Sequence, residues 1–127
     1  IHMPTLTWIS ELNRVGWLGQ KLAALYLKQK GISIIEMNRN CLPYGEIDIL
    51  GKTDDEWIFT KVKTAYKTSI QKIEKNIDHK KLIEMGNAIY QIREDMDQEL
   101  DFRIDCVIVN LKKTGPEIKH YEGIHLE

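Results

Sequence analysis

The fold follows from residues 45–63, which read GEIDILGKTDDEWIFTKVK. Hydrophobic and acidic residues alternate at the start of this stretch, which is the pattern of a β-strand with two different faces. Ile47 and Ile49 are expected on one face of the strand. Glu46 and Asp48 are then expected on the opposite face, so the sequence predicts a strand with two carboxylates on one side.

A second strand follows after a short turn. The polar run at residues 53–56 is typical of a turn, and residues 57–63 alternate again, with Lys61 and Lys63 on one face. Because the connection is so short, the two strands should form an antiparallel hairpin. The two acids of the first strand would then lie near the two lysines of the second.

Helical and strand patterns alternate along the rest of the chain. They predict a helix at about residues 10–30, strands at 32–37, 45–50 and 57–63, a helix at 69–93, and strands at 102–109 and 117–124, with a loop at 38–44. The second helical pattern changes phase near Asp78, which is placed to cap a new helix, so one bent helix and two helices remain alternatives. The order αβββαββ predicts an α/β fold, with a central mixed β-sheet, flanking helices and a polar edge strand at its end.

The composition is that of one globular domain. The chain has 127 residues, of which 43% are hydrophobic and 29% charged, enough for a single hydrophobic core. It contains no apolar run of the ~20 residues that a membrane-spanning helix needs, and no charged and apolar leader opens it. We therefore expect a cytoplasmic protein without a membrane partner. The domain is assigned to residues 4–127, and residues 1–3 are interpreted as a cloning remnant.

Cysteine, histidine and tryptophan positions show no further site. Cys41 and Cys106 are expected to be free thiols in a reducing compartment, the first in a loop and the second in the core. The histidines lack metal-ligand spacing and are predicted at the surface: His79, His120 and His125. Two tryptophans are predicted in the core rather than as platforms for bases: Trp17 and Trp57.

Charge is unevenly distributed along the chain. The net charge is −1, which excludes a general attraction to nucleic acid. Residues 61–81, however, contain seven lysines against two acids, a local balance of +5, and residues 84–105 have a balance of −5. A bipolar molecule of this kind can present a basic face to phosphates.

Short motifs in a fixed order carry a family resemblance. They read GWLGQ at 16–20, NRN at 38–40, GEID at 45–48, FTKVKT at 59–64 and FRID at 102–105. The series resembles the YraN-like family of nuclease-fold proteins, within the PD-(D/E)XK superfamily that includes restriction endonucleases and archaeal Holliday-junction resolvases. The resemblance covers residues from about 11 to 124. It implies a restriction-endonuclease-like fold.

The resemblance also implies a function, that of a metal-dependent endonuclease acting on DNA. In that family, carboxylates hold Mg²⁺ or Mn²⁺, and the cation polarises the phosphate and activates water. Asp48 matches the metal-binding Asp, and Lys63 matches the catalytic Lys that stabilises developing negative charge.

Two positions depart from the family pattern. Gln20 stands where the first helix carries a glutamate, and Lys61 stands where the second strand carries one. Of the three expected acids only Asp48 remains, so the site should bind Mg²⁺ poorly. Glu46 is a candidate substitute metal ligand, or alternatively a polar residue beside a turn. Both departures are compatible with a natural or an engineered origin.

Two functions therefore remain open. The first is an endonuclease with a partly degenerate site formed by Asp48, Lys63, Lys61 and Gln20, with Mg²⁺ or Mn²⁺ as cofactor. The second is an inactive nucleic-acid-binding or scaffold module that keeps the nuclease fold and needs no cofactor. DNA is the expected partner, and the oligomeric state is open, a homodimer included. The residues predicted to contact phosphates are Lys61, Lys63, Lys67, Lys72, Lys75, Lys80 and Lys81.

Overall fold

The computed structural model describes residues 4–41, 45–96 and 99–125, with side chains for all of these except 4–13 and 94. The helices are α1 (Pro4–Gln29), α2 (Ile70–Lys75) and α3 (His79–Ile92), and a short 3-10 turn follows at Arg93–Asp95. The strands are β1 (Ser33–Asn40), β2 (Glu46–Lys52), β3 (Glu56–Tyr66), β4 (Asp101–Lys112) and β5 (Gly115–Tyr121). None of the helices in the described residues has the length and apolar character to cross a lipid bilayer.

The five strands form one mixed sheet in the order β1-β2-β3-β4-β5. β2 and β3 form the predicted antiparallel hairpin, and β1 and β5 add antiparallel edges. β3 and β4 are parallel over their whole length, from Glu56–Asp101 to Tyr66–Leu111. The predicted α/β class, the mixed sheet and the edge position of the last strand are confirmed. The architecture is compatible with a restriction-endonuclease-like fold.

The helical stretch after β3 consists of two helices. Asp78 caps α3 and accepts a hydrogen bond from the Lys80 N–H at 3.0 Å, as the phase change in the sequence indicated. Ser69 caps α2 in the same way through the Lys72 N–H. The alternative of one bent helix is therefore wrong, because two polar caps start two separate helices.

The loop predicted from residue 38 starts later, because β1 continues to Asn40. Arg39 and Asn40 pair with residues of β2, and this pairing overrides their loop-like composition. Asn38 has a φ of 56°, a left-handed conformation in which asparagine is enriched. Residues 42–44 of the predicted loop lie outside the described residues, as do residues 1–3.

Helices cover both faces of the sheet. Ile58 and Val62 of β3 pack beneath α1 in one buried cluster with Ala23 and Leu27. Phe59, the next residue after Ile58, packs against α3, because successive strand residues point to opposite sides. Helix α2 covers β4 on this second face. The sheet is therefore buried between α1 and the pair α2–α3.

Helix α1 approaches the sheet most closely at Gly19. A Cβ atom at this position would lie 1.8 Å from Thr64 Oγ1 and 2.6 Å from Thr64 Cβ. The absence of a side chain therefore lets the helix lie directly on β3. Trp17, which was predicted in the core, is instead 58% exposed, and Lys21 Nζ lies 4.1 Å from its ring centroid. The core prediction for Trp17 is wrong, because Gly19, Ala23 and Leu27 form the contact face of α1 and Trp17 lies outside it.

A buried ionic network joins the other end of the sheet. Asp105 is fully buried and accepts hydrogen bonds from His120 Nε2 at 2.7 Å, Arg103 Nε at 3.0 Å and the Gly123 N–H at 3.0 Å. Arg103 also donates to Glu56 at 2.6 Å. Only 2% of the His120 side chain is exposed, so its predicted surface position is wrong. The pairing of β4 with β5 places it against Asp105.

The close contact at Gly19 gives a first prediction. Gly19→Ala should lower the free energy of unfolding by about 1–3 kcal/mol, the usual cost of overpacking. Rotation of the Thr64 side chain cannot relieve the clash, since Thr64 Cβ itself is within 2.6 Å. Gly16→Ala is the matched control on the same helix, because no atom lies within 4 Å of its added Cβ. The control should stabilise the protein by up to about 1 kcal/mol. Equal stability of the two variants in urea denaturation would contradict this packing.

The network around Asp105 gives a second prediction. Burial opposes the charged form of Asp105, but hydrogen bonds from His120 and Arg103 outweigh it and hold the pKa of this carboxyl below its ordinary value. Because the pKa is lowered in the folded state, the stabilisation is present above about pH 4 and is lost as the pH falls through the folded-state value.

Asp105→Asn should lower the free energy of unfolding at pH 7 by about 3 kcal/mol, since the Arg103 guanidinium loses its buried counter-charge. The variant should also lose less stability than the parent between about pH 4 and pH 2. Asp54→Asn, at an exposed position in the β2–β3 turn, is the control and should change little. Denaturation curves at several pH values would measure both effects, and parallel curves for all three proteins would contradict the assignment.

Candidate nucleic-acid site

Asp48 is buried between β2 and β3 although it carries a charge. Only 3% of its surface is exposed. Its Oδ2 accepts a hydrogen bond from the Val62 N–H at 2.7 Å and lies 3.2 Å from Lys61 Nζ. A buried carboxylate without partners would destabilise the fold. The main chain and side chain of β3 therefore hold Asp48 in place.

The Asp48 carboxylate also changes how the two strands pair. Main-chain pairing between β2 and β3 starts beside the turn and ends at Ile49–Thr60. Further along, Val62 donates to the Asp48 side chain, where a regular ladder would use a main-chain carbonyl. Ile47 packs in the cluster of α3, and Ile49 packs beneath α1. Their predicted common face is wrong, because the regular pleat does not continue past this side-chain bridge.

Lys61 supplies the positive charge beside Asp48. Its side chain is 28% exposed, whereas that of Asp48 is 5% exposed, so the pair lies at the edge of the buried region. The resemblance implies a second carboxylate at position 61, which would help Asp48 to hold a metal cation. In this chain the Lys61 ammonium group compensates the Asp48 charge instead.

The acids near the hairpin do not form a metal site. Glu46 is exposed at the start of β2, where it pairs with Asn40 of the edge strand, whereas Asp48 is buried. Within the described residues, no three or more His, Cys, Asp and Glu side chains come together in a way that could hold a metal ion. The donor set therefore does not fit Mg²⁺ or Mn²⁺, which require several oxygen ligands.

Gln20 and Lys63 lie at one groove. The groove has a volume of about 400 Å³ and is lined by Gly16, Gln20 and Lys63, among others. Helix α1 brings Gln20 to this point because Gly19 lets the helix approach β3. The structure thus brings Lys63 of β3 and Gln20 of α1 to the same groove. It also places Asp48 on the adjacent strand, antiparallel to β3.

A second, smaller cavity brings three lysines together. Lys61, Lys63 and Lys81 line it together with Asp78, and its volume is about 130 Å³. Lys61 and Lys63 share a face of β3, and Lys81 comes from the first turn of α3. Lys61 belongs to this cavity and to the ion pair with Asp48, so the two features form one continuous site.

Cys106 also lines this cavity, and its chemistry excludes a nucleophilic role. Burial raises the pKa of the Cys106 thiol to about 11, and only the thiolate is a nucleophile or a metal ligand. The thiol is therefore protonated at neutral pH. Both cysteines are free, as predicted, and Cys41, which is also buried, lies directly after β1 at the start of the predicted loop.

The remaining predicted lysines are spread over a wider surface. They are exposed in α2, in the first turn of α3 or directly after β3: Lys72, Lys75, Lys80 and Lys67. Lys67 lines a third groove with two residues that the sequence analysis missed, Lys112 and Lys113. Lys112 is the last residue of β4 and Lys113 follows it, and only the parallel pairing of β3 and β4 brings them to Lys67.

Comparison with known proteins gives one family. The chain matches the family described as "Uncharacterised protein family UPF0102" over residues 19–109. A UPF0102 protein of Fervidobacterium nodosum is 34% identical over 113 residues, 88% of this chain and 83% of the relative. UPF0102 proteins of Dehalococcoides mccartyi and Thermotoga neapolitana are 35% and 34% identical, over 82% and 84% of this chain and 86% and 94% of the relatives.

The charge of the site gives a third prediction, on metal binding. The unmodified protein should bind Mn²⁺ weakly, because an ammonium group faces Asp48. Lys61→Glu should raise Mn²⁺ affinity, and adding Gln20→Glu should raise it further. The first change should give most of the gain, since it alters the local charge by two units rather than one. Calorimetric titration measures the affinity directly.

Unfolding temperatures provide a second measurement that does not depend on catalysis. In the absence of metal, Lys61→Glu places two carboxylates side by side and should lower the Tm, and Mn²⁺ should restore it by mass action. Lys28→Glu, in the last turn of α1, makes the same charge change elsewhere and should show neither effect. Asp48→Ala should remove any gained affinity. Tight Mn²⁺ binding by the unmodified chain would contradict the prediction.

Proposed function

This chain belongs to the family UPF0102, and from that premise we propose that it is a DNA-binding domain with the fold of a nuclease, in which an internal ion pair replaces the metal site. One observation carries the proposal, the 3.2 Å contact between Lys61 Nζ and Asp48 Oδ2. It neutralises the acid that a metal-dependent nuclease would use. The fold and the basic residues of the site remain.

The chemistry of the site favours phosphate as the ligand. Lys61, Lys63 and Lys81 line one cavity, and against them stand Asp48 and Asp78, so the local charge is positive. Lysine ammonium groups bind phosphate oxygens without base specificity. Each phosphate that such a site neutralises releases counterions, and the resulting binding is sensitive to salt.

Metal-dependent endonuclease activity is the second candidate. Asp48 and Lys63 lie on adjacent strands, and Gln20 shares a groove with Lys63, so the positions of the family's site are kept together. Metal-dependent nicking of a plasmid by the unmodified chain, lost in Glu46→Ala, would favour this candidate and identify Glu46 as a relocated ligand. If the unmodified chain does not nick the plasmid with any metal, the result favours the DNA-binding domain over the endonuclease.

The fourth prediction tests DNA binding. Affinity for a short duplex, measured by fluorescence anisotropy, should fall steeply between about 50 and 200 mM salt. Lys63→Glu or Lys81→Glu should weaken binding for every DNA sequence about equally and reduce the salt slope by about 1 each. Reversing the charge of Lys72 and Lys75 together, by substitution with Glu, tests the exposed lysines of α2. This double change should also weaken DNA binding about equally for every sequence.

Lys28→Glu is again the matched control, since it makes the same change in net charge on α1, away from the grooves. It should leave the salt slope unchanged. Equal weakening by Lys28→Glu and Lys63→Glu would show that net charge, rather than the site, determines binding. Failure of the unmodified protein to bind DNA at low salt would favour the scaffold hypothesis.

A further inference from the structure

Tyr66 stands between two grooves at the end of β3. Its side chain is 50% exposed. It lines the groove that contains Gln20 and Lys63, and it also lines the third groove, which Lys67 and Lys113 share. The two grooves have volumes of about 400 Å³ and 490 Å³. An exposed aromatic ring therefore forms the wall common to two neighbouring surface depressions.

The third groove is basic. Lys67, Lys112 and Lys113 line it, and all three are exposed. Lys112 has a long contact of 3.8 Å with the exposed Glu117, a pairing that water and salt screen strongly. The groove thus keeps a positive charge that is available to an anion.

The topology explains why these residues meet. β3 and β4 are parallel and in register up to Tyr66–Leu111, so their carboxyl ends leave the sheet side by side. Lys67 then adopts a φ of 55°, a left-handed conformation that a lysine rarely takes. Its Nζ lies 5.9 Å from the Tyr66 ring centroid. Residues in such conformations are concentrated at binding sites, where the surrounding structure holds them in place.

We propose that Tyr66 stacks against an unpaired base of a DNA strand whose phosphates lie along Lys67, Lys112 and Lys113 and which continues into the groove of Gln20 and Lys63. This inference rests on the proposed DNA binding and names its substrate class, single-stranded DNA or a duplex with a single-stranded extension. Alternating aromatic and basic contacts are how proteins bind single strands without reading their sequence.

A continuous duplex is a poor ligand for this arrangement. In a duplex each base already stacks on its neighbours with both faces, so no base face is free for Tyr66. An unpaired base exposes a π-face that every aromatic ring can contact. The geometry therefore separates the phosphate contacts of the second, smaller cavity, which any DNA can use, from the contacts of Tyr66 and the third groove, which follow an unpaired strand.

The test compares three fluorescent DNAs with the full chain: a thymidine 20-mer, a blunt duplex, and the duplex with a thymidine tail. The unmodified protein should bind the single strand and the tailed duplex more tightly than the blunt duplex. Tyr66→Ala should weaken single-strand binding roughly fivefold or more, the usual range for loss of one stacked base, and should change duplex binding less than twofold. Tyr66→Phe keeps the ring face and should bind like the parent.

Tyr90→Ala is the matched control, since Tyr90 is 69% exposed on α3 and lies outside these grooves. It should bind all three DNAs like the parent. A 2-aminopurine base within the thymidine strand should be quenched by the parent and not by Tyr66→Ala. If Tyr66→Ala unfolds, Lys113→Glu at the exposed end of the groove serves instead, and it should weaken the single strand more than the blunt duplex.

Two results would overturn the inference in distinguishable ways. Salt-dependent duplex binding with equal single-strand affinity for parent, Tyr66→Ala and Lys113→Glu would reject the stacking site and leave the proposed DNA binding standing. Absence of binding to all three DNAs at low salt would reject the proposed function and, with it, the substrate class inferred from it.

Discussion

The contact on which the site depends is the hydrogen bond from the Val62 N–H to the Asp48 carboxylate, together with the ion pair to Lys61. A charged side chain is stable in this buried position only when it is paired. The carboxylate therefore acts as part of the sheet, because it accepts a main-chain donor at the point where the ladder between β2 and β3 ends. Beyond that point β3 presents Lys61 and Lys63 to a cavity.

A steric constraint places the first helix beside the groove that Gln20 and Lys63 line. Gly19 lies so close to Thr64 that no side chain fits between them, and Gln20, the next residue, reaches the groove of Lys63 as a result. The resemblance implies a carboxylate at position 20, whereas this chain has an uncharged amide there. The packing of α1 on β3 depends on Gly19 and not on the charge at position 20.

The two ends of the sheet serve different purposes. At one end the buried network of Asp105, His120 and Arg103 joins β4 and β5 to the segment around Gly123, and its charges are compensated internally. At the other end, where β3 and β4 finish, the side chains of Tyr66, Lys67, Lys112 and Lys113 are exposed to solvent. Charge that is satisfied inside the protein stabilises it, and charge left at the surface is available to a ligand.

The sequence by itself determined the elements, the hairpin, the Asp78 cap and the family, because these depend on local periodicity, capping chemistry and motif order. It also identified Gln20 and Lys61 as the positions that depart from the family pattern, and Asp48 and Lys63 as those that match it. The tertiary structure alone decided the burial of His120, the exposure of Trp17, and the meeting of Tyr66 with the lysines at the end of β4. The physical reason is that these outcomes depend on pairing between distant strands and on one close helix contact, and neither leaves a periodic pattern in the sequence.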